Sequence, residues 1–396
     1  MDKTTKDTDR LIRTIETMQA RYAGGEMNRR TLLQGLFALG LSSTAVALVM
    51  SDKSVAHAAE GGPAEVLWDG KPFDAGGETV TIAHWGGEME DFARKGIIDK
   101  FETDFNCKVV YDSNAPWFSK MSLAGPDNPP IDLYNGNLPE AINLEARGFF
   151  TSREELKANV PSLADMWPDI AFYGPGVIWA LHVMGIAYRT DVITTPPNSL
   201  AELWNKKYEN TRAIYGPIND LQAILFMSVS KIWGKDQYDM QTGFDKFVEG
   251  KPWIISPFTG ETMNLMERGE VEIAWQTDGE ALLQKERGLP IDWVAAKEVS
   301  PFNQMHSAVS KGSSPMKKKL AYALLEQYCS PAGQTMWSDA LYFHPINLKA
   351  TISPKMTQLG YKGTADDFAG LFMPDWRWYI SNQSQIVDTL NAIFSS

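Results

Sequence analysis

From Glu78 onward, β-branched apolar runs alternate with stretches of helical period, and that alternation decides the fold class. ETVTIAHW (78–85) reads as a strand ending at Gly86-Gly87, and Phe92, Ile97, Ile98, Phe101 and Phe105 follow at helical spacing. CKVVYDS and IDLYNGN are second and third strands, the latter followed by a helix from Pro139 to Arg147. VIWALHVMGIAYRT (177–190) is too long for an average strand and reads as two strand segments, with LAELWNKKY a short helix after it. TRAIYGP, WIISPFT and VEIAWQT are strands, each leading into a helix: NDLQAILFMSVSKIWG, ETMNLMERG and EALLQKERG. IDWVAAK and MHSAVSK are further strands, before a helix over 314–327 and a Trp-rich, helical tail after Asp366. Strands separated by helices predict an α/β chain with mostly parallel sheets. At 396 residues, two domains or lobes are expected rather than one core.

The first sixty residues stand outside this pattern. Arg29-Arg30 precede an apolar stretch from Gly35 to Met50, and Ala56-His57-Ala58 has the small-x-small form of a signal-peptidase site. At about sixteen residues the stretch is short for a membrane span. The paired arginines resemble a bacterial twin-arginine export signal, with a general secretory leader as the competing reading. Residues 1–58 are therefore expected to be a cleaved export signal with an N-terminal extension, and 59–77 a lead-in to the first strand. A formal net charge of −12 without a basic block argues against a nucleic-acid partner. Two cysteines, Cys107 and Cys329, are consistent with a disulfide or with two buried thiols.

In open α/β sheets ligands sit beyond the carboxyl ends of strands, so the strand-to-helix turns are the positions to read. HWGGE (84–88) places Trp85 before two glycines whose backbone N–H groups are available to a ligand. At YGPINDLQ and WQTDGE, Asn219–Gln222 and Thr277–Glu280 fit the capping-box frame, with Asn219 and Thr277 as N-caps. Asp220 and Asp278 then fall at the first helical position, where the cap does not need them. One reading is helix-dipole stabilisation, worth about 0.3–1 kcal/mol. The other is a pocket for a cation, in which a carboxylate replaces lost hydration and Trp275 or Trp85 offers an aromatic face. On the second reading, loss of Asp278 costs folding about 1 kcal/mol or less and binding about 2–5 kcal/mol.

Signatures of catalysis are missing: the sequence has no GxSxG, GxxxxGK[ST], HExxH, CxxC or GxGxxG. His84, His182, His306 and His344 are widely spaced and read as satisfied polar residues rather than metal ligands; His306 is the one to watch, neutral or cationic near pH 7. No catalytic residue, metal or cofactor is expected.

W-G-G after the first strand, together with IDLYNGNLPEAINLEARGFF, GVIWALHVMGIAYRTDVI, LAELWNKKY, ERGEVEIAWQTDGEALL and GLPIDWVAAKE in that order, resembles the solute-binding proteins of bacterial ABC importers. The spermidine/putrescine-binding family is the nearest in look, over roughly residues 78–395. The resemblance implies an α/β, two-lobed periplasmic binding protein fold with hinge strands between the lobes, crossing near Leu181–Gly185 and Pro301–His306. Lobe one would comprise 78–182 plus 304–344, and lobe two 183–303 plus 345–396. It implies ligand contacts at Trp85, Asp220, Trp275 and Asp278, and Gly86 beside Trp85 and Gln304 and His306 in the second hinge are taken as ligand-binding candidates with them. In the second hinge the family's aromatic-x-acid element is replaced by Gln304-Met305-His306, and the acid expected three residues after Asp220 is Ala223. A ligand with one cationic and one polar or anionic end, such as an amino-acid derivative or opine, then fits better than a diamine. The adjacent tyrosines of iron-binding relatives are broken here by Tyr342-Phe343. The implied protein is a monomeric periplasmic component that delivers a small solute to ABC permease subunits. A secreted enzyme or a receptor-coupled sensor on the same scaffold is the alternative.

Overall fold

The computed structural model describes Met18 and residues 64–395, so the expected export signal lies outside the described residues apart from Met18. Strand β1 (Thr79–Ala83) leads into α1 (Glu88–Ala93), which continues through a π-helical turn (Arg94–Ile98) into α2 (Asp99–Phe105). β2 (Lys108–Asp112), α3 (Trp117–Ala124), β3 (Leu133–Asn135), α4 (Leu138–Glu145), α5 (Arg153–Asn159) and the short α6 (Pro168–Ala171) follow. The chain then runs through β4 (Val177–Arg189), β5 (Arg212–Tyr215), α7 (Asp220–Trp233), α8 (Met240–Glu249) and β6 (Ile254–Ser256). Next are α9 (Thr259–Glu267), β7 (Ile273–Thr277), α10 (Asp278–Glu286), β8 (Ile291–Val294) and β9 (Ser300–Val309). α11 (Pro315–Cys329), α12 (Pro331–Leu341), β10 (His344–Pro345), β11 (Leu371–Phe372) and α13 (Trp376–Ser395) complete it.

The strands order as β2-β1-β3-β9-β4-β7-β5-β6, with β10 and β8 also on β4 and β11 on β9. β1 pairs parallel with β2 and β3, and β5 parallel with β6 and β7, as βαβ connections require. β4 and β9 instead run antiparallel to each other, β4 antiparallel to β7 and β9 antiparallel to β3, and they join the two halves; only the short β11 is parallel to β9 among the described residues. Up to Val183, β4 pairs with β9; from Met184 it pairs with β7, and from Ile186 also with β8. β9 pairs with β4 over Phe302–Ser307 and with β3 over Ser307–Val309.

β4 corrects the sequence reading. It is one strand of thirteen residues with an irregularity between Ile178 and Ala180, because its two ends serve different sheets. Gly185 sits just past the change of partner, where an added Cβ would lie 2.4 Å from Trp293 Cζ2 and 2.5 Å from the Val294 carbonyl. LAELWNKKY also departs from expectation, folding as two 3₁₀ turns, Leu200–Trp204 and Lys206–Tyr208, capped by Ser199 and Asn205. Short side-chain caps at both starts favour single turns over a continuous helix. Cys107 and Cys329 are buried free thiols.

Candidate functional site

The ends of β1, β3 and β5 supply the exposed part of the site. After β1, His84 is buried and accepts the Trp85 N–H at Nδ1 (2.9 Å), while Tyr111 donates its hydroxyl to the Trp85 carbonyl at 2.7 Å. Burial pulls His84 down to about 3, so its imidazole is neutral and acts as a fixed acceptor. With both backbone groups tied, Trp85 holds its indole edge-on against Trp117, at 4.8 Å between centroids, and remains 37% exposed. Gly86 is exposed beside Ser113, and Gly87 takes φ 68°, a left-handed turn that glycine adopts without strain as α1 begins.

After β5, Asn219 caps α7 by accepting the Leu221 N–H at 2.9 Å, which leaves Asp220 at the first helical position, half-buried. The Asp220 carboxylate has no hydrogen-bond or ion-pair partner among the described residues. Burial, and then the Glu140 carboxylate, push it up to about 8. Glu140 is itself raised by burial, an effect opposed by the Tyr134 hydroxyl, which donates to its Oε2 at 2.8 Å. Tyr134 and Tyr379 are buried phenols within electrostatic reach of Asp220, and burial is the larger cause holding both well above the ordinary tyrosine value. Among the described residues the Glu140 carboxylate is thus the one charge that acts on Asp220, and no basic side chain offsets it.

Glu140 was not anticipated, although a signal for it exists. Asn137–Glu140 at the start of α4 repeats the capping-box frame seen before α7 and α10, yet Asn137 makes no side-chain cap and Glu140 bonds Tyr134 instead. A third strand-to-helix turn with an acid in its first turn belonged beside the other two.

The remaining expected site residues take other places. Asp278 is fully buried. Its Oδ1 accepts from the Val183 N–H (3.1 Å) and the Gly279 N–H (2.8 Å), and its Oδ2 meets His344 Nε2 at 2.7 Å. The Tyr361 hydroxyl is a further partner. Thr277 caps α10 by accepting from the Glu280 N–H at 3.4 Å, as expected, but Asp278 ties that helix to β4 and β10 rather than opening onto solvent. Trp275 is fully buried and donates its indole N–H to the Leu221 carbonyl at 3.1 Å, locking β7 to α7. Gln304 and His306 lie inside the β4–β9 ladder, opposite Leu181 and Ile178, and are 5% and 2% exposed. His306 bonds the Pro175 carbonyl through Nε2, and burial pulls it down to about 4, so it is neutral near pH 7. The structure therefore exposes Trp85 and Gly86 and leaves Asp220 half-buried at strand ends, adds Glu140 to the charges near Asp220, and places Trp275, Asp278, Gln304 and His306 within the core.

Two α/β halves joined by long antiparallel strands define a two-lobed solute-binding fold. Residues 96–361 match the model of the family described as bacterial extracellular solute-binding protein, and the chain belongs to that family. Solved structures agree. An extracellular solute-binding protein from Bordetella parapertussis is 21% identical, with 79% of this chain and 98% of that one covered and a TM-score of 0.66. AfuA from Actinobacillus pleuropneumoniae, holding fructose-6-phosphate, is 17% identical over 80% and 99%, with a TM-score of 0.65. Iron-bound HitA from Pseudomonas aeruginosa is 17% identical over 80% and 99%, with a TM-score of 0.63. No curated protein matches the chain. An ABC transporter from Clostridium perfringens is 19% identical over 80% of this chain and 99% of that one, with a TM-score of 0.65. Among the described residues no helix is long and apolar enough to cross a membrane, and no group of three or more His, Cys, Asp or Glu is placed to hold a metal ion.

Proposed function

We propose that this protein captures a small cationic or zwitterionic solute between its lobes, at Asp220 and Glu140, with Trp85 as the aromatic wall, and hands it to an inner-membrane ABC permease. The observation that carries this reading is the half-buried Asp220 carboxylate at the start of α7, without a hydrogen-bond or ion-pair partner among the described residues and within electrostatic reach of Glu140. A half-buried carboxylate beside a second one is costly to ionise, and an entering ammonium relieves both the lost hydration and the like-charge repulsion. Relatives of this fold hold ligands as different as a sugar phosphate and iron, so the ligand class rests on this chain's own acids. A polyamine-like amine, an amino-acid derivative or an opine fits them. The protein would act as a monomer in the periplasm after twin-arginine export and removal of residues 1–58, a route supported by Arg29-Arg30.

The test is a thermal-shift screen of the mature protein over polyamines, amino acids, opines, quaternary amines, sugar phosphates, organic acids and ferric citrate. Cationic or zwitterionic solutes should stabilise the wild type, and Asp220→Asn should abolish or strongly reduce the shift. A ligand of micromolar affinity, about −8 kcal/mol, gives a clear signal. Stabilisation by anions or iron alone, undiminished in Asp220→Asn, would remove the reading.

A further inference from the structure

The C-terminal segment touches both lobes within a few residues. The Pro374 carbonyl accepts the hydroxyl of Tyr173, in lobe one, at 2.6 Å, and Arg377 pairs with Glu145 of α4 at 3.2 Å. Between them, Asp375 turns to lobe two: its N–H donates to Gln237 Oε1 at 2.8 Å, and its Oδ2 accepts the Tyr238 hydroxyl at 3.1 Å. Trp378 packs edge-on against Tyr238 (5.2 Å), and Phe394 against Phe247 of α8 (5.9 Å). Along α13, Trp376, Tyr379, Ile386, Leu390 and Ile393 form a buried stripe at helical spacing, and the helix lies against α4 on one side and α8 on the other.

We propose that Pro374–Ser395 is an interlobe strap that limits how far the two lobes separate. β4 and β9 cross between the lobes as extended strands, and such connections absorb a hinge rotation through small dihedral changes. A helix seated on both lobes resists that rotation, because opening must slide it off α4 or off α8. Its contacts divide by kind. Lobe two holds the segment by both Asp375 bonds and by aromatic contacts at Tyr238 and the buried Phe247, while the polar bonds to lobe one are those of Tyr173 and Glu145, so the lobe-one bonds are where the strap lets go.

Distance measurement between spin labels on the ligand-free mature protein tests this, with labels at Thr103→Cys in α2 and Glu267→Cys in α9, both exposed; Cys107 and Cys329 are buried. Tyr173→Phe combined with Arg377→Glu leaves the buried stripe of α13 intact. This variant should raise the ratio of long to short interlobe distances by about threefold or more, the scale set by losing an exposed ion pair and a hydrogen bond. Restoring the pair in reverse, by adding Glu145→Arg, should return most of that shift. An unchanged distance distribution in Tyr173→Phe/Arg377→Glu, or a shift that the reversed pair leaves untouched, would overturn the strap.

Discussion

At Asp220 two effects push the same way: burial strips water from the carboxylate, and Glu140 adds a like charge. The folded protein therefore binds a proton there more tightly than the unfolded chain, for which 3.8 is the ordinary value, and holds it up to about 8. The sign follows from that. The stability tied to this proton is fully present below the unfolded value and is lost as pH rises through the folded one. Ligand-free wild type should therefore lose melting temperature between about pH 4 and pH 8 more steeply than Asp220→Asn, measured by calorimetry in matched buffers. Parallel curves would show that Asp220 is ionised in the empty site. Asp278 stands at the same helix position in different surroundings, bonded to Val183, Gly279 and His344 without solvent. Removing one partner of a buried pair leaves the other uncompensated, so Asp278→Ala should cost about 3–5 kcal/mol of unfolding free energy in denaturant titrations. That replaces the small cost expected from helix capping alone. A loss under about 1 kcal/mol would show that the pair is dispensable.

Elements were legible where local chemistry set them. The N-caps at Asn219 and Thr277 could be read from their frames because a cap is satisfied within four residues of its own chain. Asn219→Ala should accordingly cost about 1 kcal/mol, read from the denaturation midpoint at constant slope. What lay beyond the sequence depended on contacts made across the fold. β4 could not be read as one strand, because continuity comes from β9 on one half and β7 on the other. Asp220 and Asp278 could not be told apart, because His344 and Glu140 approach from elements 66 residues later and a whole lobe earlier. Trp275 looked like an aromatic wall, and the Leu221 carbonyl took its N–H. Gly185 makes the cross-fold dependence measurable. A Cβ there meets the Val294 backbone carbonyl, which cannot rotate away, so Gly185→Ala should destabilise by about 1–3 kcal/mol or more. A neutral Gly185→Ala would mean that β4 and β8 separate freely.

Across the whole molecule, the parallel sheets carry the strand ends that bear Trp85, Glu140 and Asp220, while β4 and β9 connect the two halves. On the proposed reading a solute held at Asp220 and Glu140 would join the lobes through its own charge, and the proton that the raised Asp220 carboxyl holds would leave when an ammonium arrives, so that cation binding and proton release would be one event. Isothermal titration of the solute found by thermal shift, at pH 7 in two buffers of different ionisation enthalpy, measures the protons released on binding. Net release should approach one proton per solute for the wild type and be small for Asp220→Asn, with affinity in that variant at least tenfold weaker. Binding without proton release, at equal affinity in wild type and Asp220→Asn, would rule out Asp220 as the cation's partner.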